Sequence, residues 1–415
     1  MKITSLLLKI TSRCNLNCKY CYMYNLEDTS YSKQPKFMSR EVCEQVIIKT
    51  YKHCIQNDIK EFLFVFHGGE PLLCEDDFFV WFVTFANNFF ENRVKLYYAV
   101  HSNGTLFVPE IAEVFSRLKI QIGISLDGDK NVNDKNRLYK NGRSSYNDVI
   151  TGINNCLKYP FHAKTMGILS VINLDKSPEE VYFFFKTIGI SVYDLNFPYY
   201  TYETYPFIEK DNDTNFTPYA DWLIKVFDLW YNDANRPNIK MFSGFINCFL
   251  GAEYPNDLFG SYDNGLLVIN TDGEIEPIDY LKACGEEFVK TNMNIKDNNL
   301  SDTYSLPNVR LYYKSHSILP DSCKECPVND ICGGTNLPAR YSDKNGFNNK
   351  SIYCKDILKL LAHIQRCIAK DLKKIEMTMV TDLDLIDYDV TIHNIMSINN
   401  KEQGVLSSYK KQLEI

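Results

Sequence analysis

The sequence predicts an α/β protein in which a parallel sheet forms a partial (β/α)6 barrel, followed by a smaller cysteine-rich domain. Short, almost continuously apolar segments alternate with helical patterns through the first half of the 415 residues, as buried parallel strands do. After residue 199 the pattern becomes aromatic and acidic, and cysteines and turn residues dominate from Cys248 to Cys354. A chain of this length exceeds one small core, so a second domain is expected.

Six strands are predicted, because each segment is short and rich in β-branched or aromatic residues. They span residues 2–10, 61–66, 95–101, 119–125, 165–172 and 193–197. The first helix is capped by Ser39 and runs to about His53. Further helices are predicted over residues 77–90, 109–118, 146–157 and 178–187. Six strands leave a barrel open on one side, which would admit a large substrate such as a peptide.

In the second half of the chain the sequence predicts a helix, a hairpin and a final helix. The helix spans 219–231, the hairpin pairs 266–270 with 274–276 around a Thr-Asp-Gly turn, and the final helix spans 356–375. The predicted domain boundaries are 1–225 for the barrel core, 226–247 for a bridge, 248–355 for the cysteine-rich domain and 356–415 for a helix and tail.

Composition excludes several classes of function. The net charge is −7 without a basic block, so a nucleic-acid partner is not expected. No segment has the roughly 18 uninterrupted apolar residues of a membrane span, so no membrane partner is expected either. The chain has 14 cysteines and no export signal, which indicates a cytoplasmic protein whose thiols bind iron–sulfur clusters rather than forming disulfides.

Three cysteines follow the first strand, in the order Cys14-x3-Cys18-x2-Cys21. A structural zinc site needs four ligands, whereas a [4Fe–4S] cluster on three thiolates leaves one iron open. A zinc site that lacks a ligand, or a chance group of buried cysteines, is the alternative.

With Tyr20 directly before the third cysteine, the run resembles the C-x3-C-x-aromatic-C signature of the radical S-adenosylmethionine (SAM) enzymes. The resemblance implies the radical SAM barrel, with SAM chelated by the open iron through its amino and carboxylate groups. It also implies an oxidoreductase that generates a 5′-deoxyadenosyl radical, which abstracts a hydrogen atom from the substrate.

Two further segments match the family. Gly68, Gly69 and Glu70 follow the second strand, and in the family this segment hydrogen-bonds the SAM amino group. An ordinary tight turn is the alternative. Arg137 stands where the family has an arginine that binds the SAM carboxylate, which suits a fork-shaped guanidinium. A surface arginine is the alternative.

Polar residues also follow the third and fourth strands. Ser102 and Asn103 follow the third strand, and Ser125 and Asp127 follow the fourth. Their side chains suit a ribose or a carboxylate, although each segment alone is also typical of a turn. Leu169 on the fifth strand is expected to pack against adenine or within the core.

A second set of cysteines, Cys323-x2-Cys326-x5-Cys332 with Cys354, resembles the SPASM domain of peptide-modifying radical SAM enzymes. The resemblance implies that these four residues hold an auxiliary [4Fe–4S] cluster. Structural zinc is the alternative, since four cysteines also suit that ion.

The family pattern includes a second, proximal auxiliary cluster that this chain matches poorly. The pattern has cysteines where Ile278 and Asn336 stand, so the proximal cluster is predicted to be missing or unusually ligated. Cys248 and Cys284 are the remaining candidate ligands. In sulfatase-maturing relatives the aspartate at the position of Asp279 acts as a base; a turn or salt-bridge aspartate is the alternative.

The segment from Cys332 to Cys354 resembles maturases that cross-link ribosomal peptides. The leading prediction is therefore a maturase that forms a C–C cyclophane or thioether cross-link in a ribosomally made precursor peptide. The alternatives are a sulfatase-type protein maturase that forms formylglycine and a non-catalytic iron–sulfur electron carrier. The resemblance also implies an external electron donor of the flavodoxin or ferredoxin type.

The histidines, including His363, show no ligand spacing, and Cys367 is interpreted as a buried apolar residue.

Overall fold

The computed structural model describes residues 1–25, 29–254, 256–374 and 385–400. Contacts divide the chain into two compact units, each made of three stretches. The first unit consists of Met1–Asn173, Phe184–Pro198 and Gly265–Tyr313. The second unit consists of Leu174–Phe183, Tyr199–Asn264 and Lys314–Ile415.

An open, mostly parallel sheet forms the centre of the first unit. Its strands are β1 (Ser5–Thr11), β2 (Glu61–Gly68), β3 (Lys95–Ser102), β4 (Ile120–Ser125), β5 (Gly167–Val171), β6 (Val192–Asn196), β8 (Leu266–Ile269) and β9 (Ile275–Glu276). Within this unit they lie in the order β6-β5-β4-β3-β2-β1-β8-β9, and only β9 is antiparallel to its neighbour. The predicted α/β class with six parallel strands is confirmed.

Helices alternate with the strands as the sequence predicts. They are α1 (Arg40–Gln56), α2 (Asp76–Phe90), α3 (Pro109–Leu118), α4 (Lys130–Asn136), α5 (Tyr146–Leu157), α6 (Pro160–Thr165), α7 (Pro178–Thr187) and, after β8 and β9, α10 (Pro307–Tyr313). Ser39 caps α1 by accepting a hydrogen bond from the backbone N–H of Val42 at 3.2 Å. The short, polar α4 was not predicted, because its seven residues carry no apolar stripe of helical period.

Aromatic packing fixes α2 on the sheet. Phe64 and Phe66 on β2 are fully buried, and their rings meet the rings of Phe82 and Phe79 at 5.4 and 5.2 Å. Both contacts are edge-to-face, which is a favoured geometry for aromatic rings. The high aromatic content therefore serves the core here.

Strand β8 lies parallel to β1, with Ser5 opposite Leu266. The predicted hairpin is present, since β8 and β9 pair antiparallel, but the hairpin extends the main sheet. This pairing joins residues more than 250 positions apart, which no local pattern reveals. It brings the segment after β9 to the end of β1, where the first cysteine loop begins.

The second unit is mainly helical. It contains α8 (Pro218–Tyr231), the short strand β7 (Asn238–Ile239), α9 (Lys240–Phe249), α11 (Asp321–Lys324), α12 (Asn329–Cys332), α13 (Cys354–Lys374) and α14 (Tyr388–Ser397). The predicted final helix is α13, and its apolar stripe is buried as expected. Asp356 near its start accepts a hydrogen bond from the N–H of Ala220 at 2.8 Å, and burial raises the pKa of Asp356 to about 7.

Within the residues that the structure describes, none of the helices has both the length and the apolar character needed to span a membrane.

Candidate functional site

The loop that follows β1 carries Cys14, Cys18 and Cys21, and hydrogen bonds fix its course. The N–H of Leu16 donates to Sγ of Cys14 at 3.4 Å, and the N–H of Cys21 donates to the carbonyl of Cys18 at 3.0 Å. The N–H of Asn17 donates to the carbonyl of Leu138 at 2.8 Å, which ties the loop to the segment after α4. The three thiols are therefore held in a preformed loop on the first unit.

The separation of these thiols suits a cluster better than a single ion. Among the described residues, only Asp228, His363 and Cys367 form a group of three whose ligand atoms all lie within 4.8 Å of one another. Sulfurs around one zinc ion stand about 3.8 Å apart, given tetrahedral Zn–S bonds of about 2.3 Å. At least one pair of the three loop thiols is therefore more than 4.8 Å apart, which is wider than the spacing around one zinc ion.

Burial raises the pKa of the Cys14 thiol to about 12 and that of Cys21 to about 11. The nearby carboxylate of Glu70 also raises the pKa of Cys14. Metal binding must displace these protons, because the thiolate is the ligand. Loading of this loop is therefore expected to release protons.

Gly68 and Gly69 let β2 approach the cysteine loop closely. A Cβ atom on Gly68 would lie 2.1 Å from the carbonyl oxygen of Thr11, and one on Gly69 would lie 2.2 Å from that of Arg13. Gly68 also has φ of +123°, a conformation that favours glycine. In this structure the two glycines are required by contacts with the chain itself.

Glu70 is fully buried and connects two of the predicted segments. Its carboxylate accepts hydrogen bonds from Oγ of Ser102 at 2.7 Å and from the N–H groups of Asn103 at 2.7 Å and Leu72 at 3.0 Å. Burial outweighs these bonds and raises the pKa of Glu70 to about 6. Asn103 in turn points its side-chain amide at Sγ of Cys14, 3.8 Å away. The ends of β2 and β3 are thus fixed against the cysteine loop.

Tyr20, Asp127 and Arg137 form a second connection to this loop. The hydroxyl of Tyr20 donates to Oδ2 of Asp127 at 2.7 Å and accepts from Nη1 of Arg137 at 2.9 Å. Burial lowers the pKa of Arg137, but Tyr20, Cys18 and Asp127 raise it further, so the net shift is upward. Arg137 is 6% exposed, which excludes a surface arginine, and its Nε is buried without a hydrogen-bond partner.

Ser125 and Leu169 lie at the adjoining strands β4 and β5, and both are half-buried. The N–H of Leu126 donates to the carbonyl of Leu169 at 3.1 Å, so the two strand ends are joined by their backbones. The roles toward SAM of these residues and of the residues above stay predictions.

We expect Arg137→Ala to weaken SAM binding by about ten- to a hundredfold, because a charge-assisted hydrogen bond to a carboxylate contributes roughly 1.5–3 kcal/mol. Equilibrium dialysis with labelled SAM on the cluster-loaded enzyme measures this. Arg143→Ala is the matched control, since Arg143 pairs with Asp148 and its side chain is 60% exposed. Equal SAM affinity in wild type and Arg137→Ala, at equal iron content, would contradict the predicted role.

A buried ionic cluster lies beside the cysteine loop, at the ends of β1 and β9. Nζ of Lys9 is 2.5 Å from Oδ1 of Asp279 and 2.7 Å from Oε2 of Glu276. All three side chains are at most 4% exposed. Burial lowers the pKa of Lys9, but the two carboxylates raise it further, so the net shift is upward and Lys9 stays charged. The predicted salt-bridge alternative for Asp279 is therefore present in the structure.

The second carboxylate oxygen of Asp279 makes no hydrogen bond. Its Oδ2 is buried without a hydrogen-bond partner and lies 3.9 Å from Nδ1 of His67, which is also buried and unpartnered. Burial, and then the charge of Lys9, lower the pKa of His67 to about 4, so its ring is neutral at pH 7. Burying Oδ2 of Asp279 and Nδ1 of His67 without hydrogen-bond partners costs folding free energy unless a third group binds to them. Sequence reasoning missed His67, although its position directly before Gly68 could have indicated it.

The second cysteine set converges in the second unit. The four cysteines, together with Val328, Leu358 and Ile395, line one cavity. Cys323 lies in α11, Cys332 ends α12 and Cys354 begins α13, so three helices place the set. The predicted ligands Cys323, Cys326, Cys332 and Cys354 are thus brought together.

Arg340 supports this cysteine set. Its side chain is fully buried and donates to the carbonyls of Ile318 at 3.2 Å and Ser315 at 2.9 Å. Burial raises the pKa of Cys323 to about 11, and the charge of Arg340 acts in the opposite direction. A buried cation here favours thiolates, which are the form that binds iron. No sequence motif singled out Arg340.

The two positions where the resemblance implies ligands of a proximal cluster hold no thiol. Ile278 is a buried apolar residue, and Asn336 accepts a hydrogen bond from the N–H of Ala339 at 3.0 Å. Cys248 lies in α9 of the second unit, and Cys284 is a buried residue of the first unit. Loss of the proximal cluster stays a prediction.

Comparisons with known proteins support the assignment of the fold. Residues 8–185 match the sequence profile of the Radical SAM superfamily. The solved structure of native anSMEcpe with bound AdoMet and Cp18Cys peptide has a TM-score of 0.74 at 23% identity, over 90% of this chain and 99% of that chain. The predicted radical SAM fold and radical SAM activity are confirmed.

Two curated relatives cover most of the chain. The cysteine-type anaerobic sulfatase-maturating enzyme of Clostridium novyi (strain NT) is 28% identical over 370 residues, which is 86% of this chain and 93% of that protein. The serine-type anaerobic sulfatase-maturating enzyme of Bacteroides thetaiotaomicron is 23% identical over 380 residues, which is 85% and 86% of the two chains.

The match to the Radical SAM superfamily, the AdoMet-bound neighbour and the homology to sulfatase-maturating enzymes confirm the predicted cofactors, which are SAM and [4Fe–4S] clusters, including an auxiliary one. The residues fit these groups, because three free thiols lie on the loop after β1 and four further thiols line one cavity. The prediction of a peptide cross-linking maturase is wrong. Similarity over nearly the whole chain is to sulfatase-maturating enzymes, whereas the cross-linking resemblance rested on one short segment.

Proposed function

Because the chain is a radical SAM enzyme, we propose that it is a maturase of the sulfatase-maturating type, which converts a cysteine of its protein or peptide substrate to formylglycine. Homology along most of the chain supports this class of reaction. The cysteine-type relative is 28% identical and the serine-type relative 23%, which favours cysteine over serine as the reacting residue.

The proposal rests on one structural observation: Oδ2 of the buried Asp279 has no hydrogen-bond partner. Lys9 holds the other oxygen and compensates the negative charge, so the carboxylate can remain buried. Burial lowers the pKa of the neighbouring His67 to about 4, so its neutral ring is only a weak base. A positioned carboxylate with an open oxygen is what a general base requires.

When bound, the cluster and SAM supply the one-electron chemistry that removes a hydrogen atom and an electron from the substrate side chain. Asp279 accepts the thiol proton at Oδ2. With a hydrogen atom, an electron and a proton removed, the carbon–sulfur bond becomes a double bond. Water then replaces the sulfur, hydrogen sulfide leaves, and an aldehyde remains.

The other parts of the proposal concern the partners and the cell. A peptide or an unfolded protein segment fits as substrate, in line with the homology to maturases. Electrons would come from a flavodoxin- or ferredoxin-type donor in the cytoplasm. Both of these stay predictions.

The test uses the cluster-loaded enzyme with SAM, a reductant and a synthetic peptide that carries one internal cysteine from a clostridial sulfatase. We expect a mass change equal to the exchange of sulfur for oxygen with loss of two hydrogens, and a product that reacts with a hydrazide. The same peptide with serine and with alanine provides the matched controls. Loss of two hydrogens with the sulfur retained, or SAM cleavage without any aldehyde, would contradict formylglycine formation.

A further inference from the structure

Helices α8 and α13 bring an aspartate, a histidine and a cysteine together in the second unit. Oδ1 of Asp228 lies 2.6 Å from Nε2 of His363, and Sγ of Cys367 lies 3.7 Å from the same nitrogen. The three ligand atoms all lie within 4.8 Å of one another. His363 and Cys367 are four residues apart on α13 and so share one face of the helix.

The separations are close to those of a tetrahedral zinc site. Zinc bonds of about 2.0–2.1 Å to nitrogen and about 2.3 Å to sulfur place the two ligand atoms about 3.6 Å apart. The observed 3.7 Å between Nε2 of His363 and Sγ of Cys367 already matches this value. A carboxylate oxygen and an imidazole nitrogen on one zinc ion stand about 3.3 Å apart, so Asp228 has to move outward by about 0.7 Å.

Exposure allows that movement and gives an ion access. The side chain of Asp228 is 49% exposed and that of His363 is 26% exposed. The ring of Phe227 packs edge-on against His363 at 5.8 Å, which fixes the orientation of the imidazole. One turn beyond Cys367, Asp371 accepts a hydrogen bond from the hydroxyl of Tyr231 at 2.8 Å and adds negative charge beside the thiol.

We propose that Asp228, His363 and Cys367 bind one zinc ion, with a water molecule as the fourth ligand. Imidazole, thiolate and carboxylate together are the ligand types that zinc takes in proteins. The site is separate from the auxiliary cysteines, because Cys354 lies about 20 Å from Cys367 along α13 at 1.5 Å per residue. The proposal does not depend on the proposed function, since none of the three residues belongs to the site in the first unit.

Protection of Cys367 from alkylation tests the proposal. The cluster-loaded enzyme is treated with iodoacetamide under anaerobic conditions, with and without zinc chloride, and mass spectrometry follows the peptide that contains Cys367. At zinc concentrations about ten times the dissociation constant, the free site falls to about one-tenth, so alkylation should slow about tenfold. A chelator should restore the original rate, and the half-buried Cys74, which belongs to neither cysteine set, should react equally in both samples.

Two variants decide whether protection reflects this site. His363→Gln and Asp228→Asn keep Cys367 in place but each removes a ligand, so zinc should lose most of its protective effect. Equilibrium dialysis should show one zinc ion fewer per chain in Cys367→Ala than in the wild type. Equal alkylation rates with and without zinc, or equal protection in His363→Gln, would overturn the proposal and leave Asp228 and His363 as a hydrogen-bonded pair. All variants should retain SAM cleavage.

Discussion

Replacing Cys14, Cys18 and Cys21 together by alanine is expected to abolish SAM cleavage. Alanine offers no ligand, so the cluster that binds SAM cannot assemble on the loop after β1. We expect about two [4Fe–4S] clusters in the reconstituted wild type and about one in the variant, by ligand count. Iron and sulfide analysis measures the clusters, and chromatography measures 5′-deoxyadenosine.

A matched control replaces three cysteines that lie away from the site, Cys43, Cys54 and Cys156, which are all fully buried in helices. This control should keep both clusters and cleave SAM. Formation of 5′-deoxyadenosine by the variant of the loop would exclude Cys14, Cys18 and Cys21 as cluster ligands. A wild-type content near three clusters would instead contradict the predicted loss of the proximal site.

The second large effect is expected for Asp279→Asn. The amide cannot accept the substrate proton, so product formation should fall by roughly 10²–10⁴-fold, as is typical when a positioned base is removed. SAM cleavage should persist, because among the described residues neither the cysteine loop nor Glu70 forms a hydrogen bond or ion pair with Asp279. Mass spectrometry of the peptide and quantification of 5′-deoxyadenosine, in one sample, separate the two steps.

Glu276→Gln is the matched control, because Glu276 pairs with the same Lys9 Nζ at 2.7 Å. Both variants remove one negative charge from a buried ionic cluster and should destabilise the fold to a similar degree. Unlike Asp279, Glu276 has Oε1 occupied, since that atom accepts a hydrogen bond from Asn270 at 2.8 Å. If both variants lose product at equal cluster content, Asp279 has a structural role. Normal conversion of the peptide by Asp279→Asn would exclude Asp279 as the base.

Function was harder to predict from the sequence than fold. The short segment from Cys332 to Cys354 favoured a cross-linking maturase, whereas similarity over 370 residues favours sulfatase maturation. The residues of this short stretch serve the local structure around the cluster ligands, as the buried Arg340 and the hydrogen bond from Ala339 to Asn336 illustrate.

The sequence by itself determined the two cysteine sets and the six parallel strands, because spacing along the chain and the period of apolar residues are local properties. It also placed Glu70 and Asp127 at strand ends, since parallel strands present their carboxyl ends at one edge of a sheet. The contact of Glu70 with Ser102 then follows from the pairing of β2 with β3.

Only the tertiary structure decided what surrounds Asp279 and His363. Lys9 meets Glu276 across 267 positions, through the pairing of β8 with β1, and His363 meets Asp228 across 135 positions, through the packing of α13 on α8. Such contacts depend on which distant segments pack against one another. The period of apolar residues within a segment does not show which partner that segment will have. Burial and neighbouring charges then set the charge states of Lys9 and His67, which would behave as ordinary solvated groups on the surface.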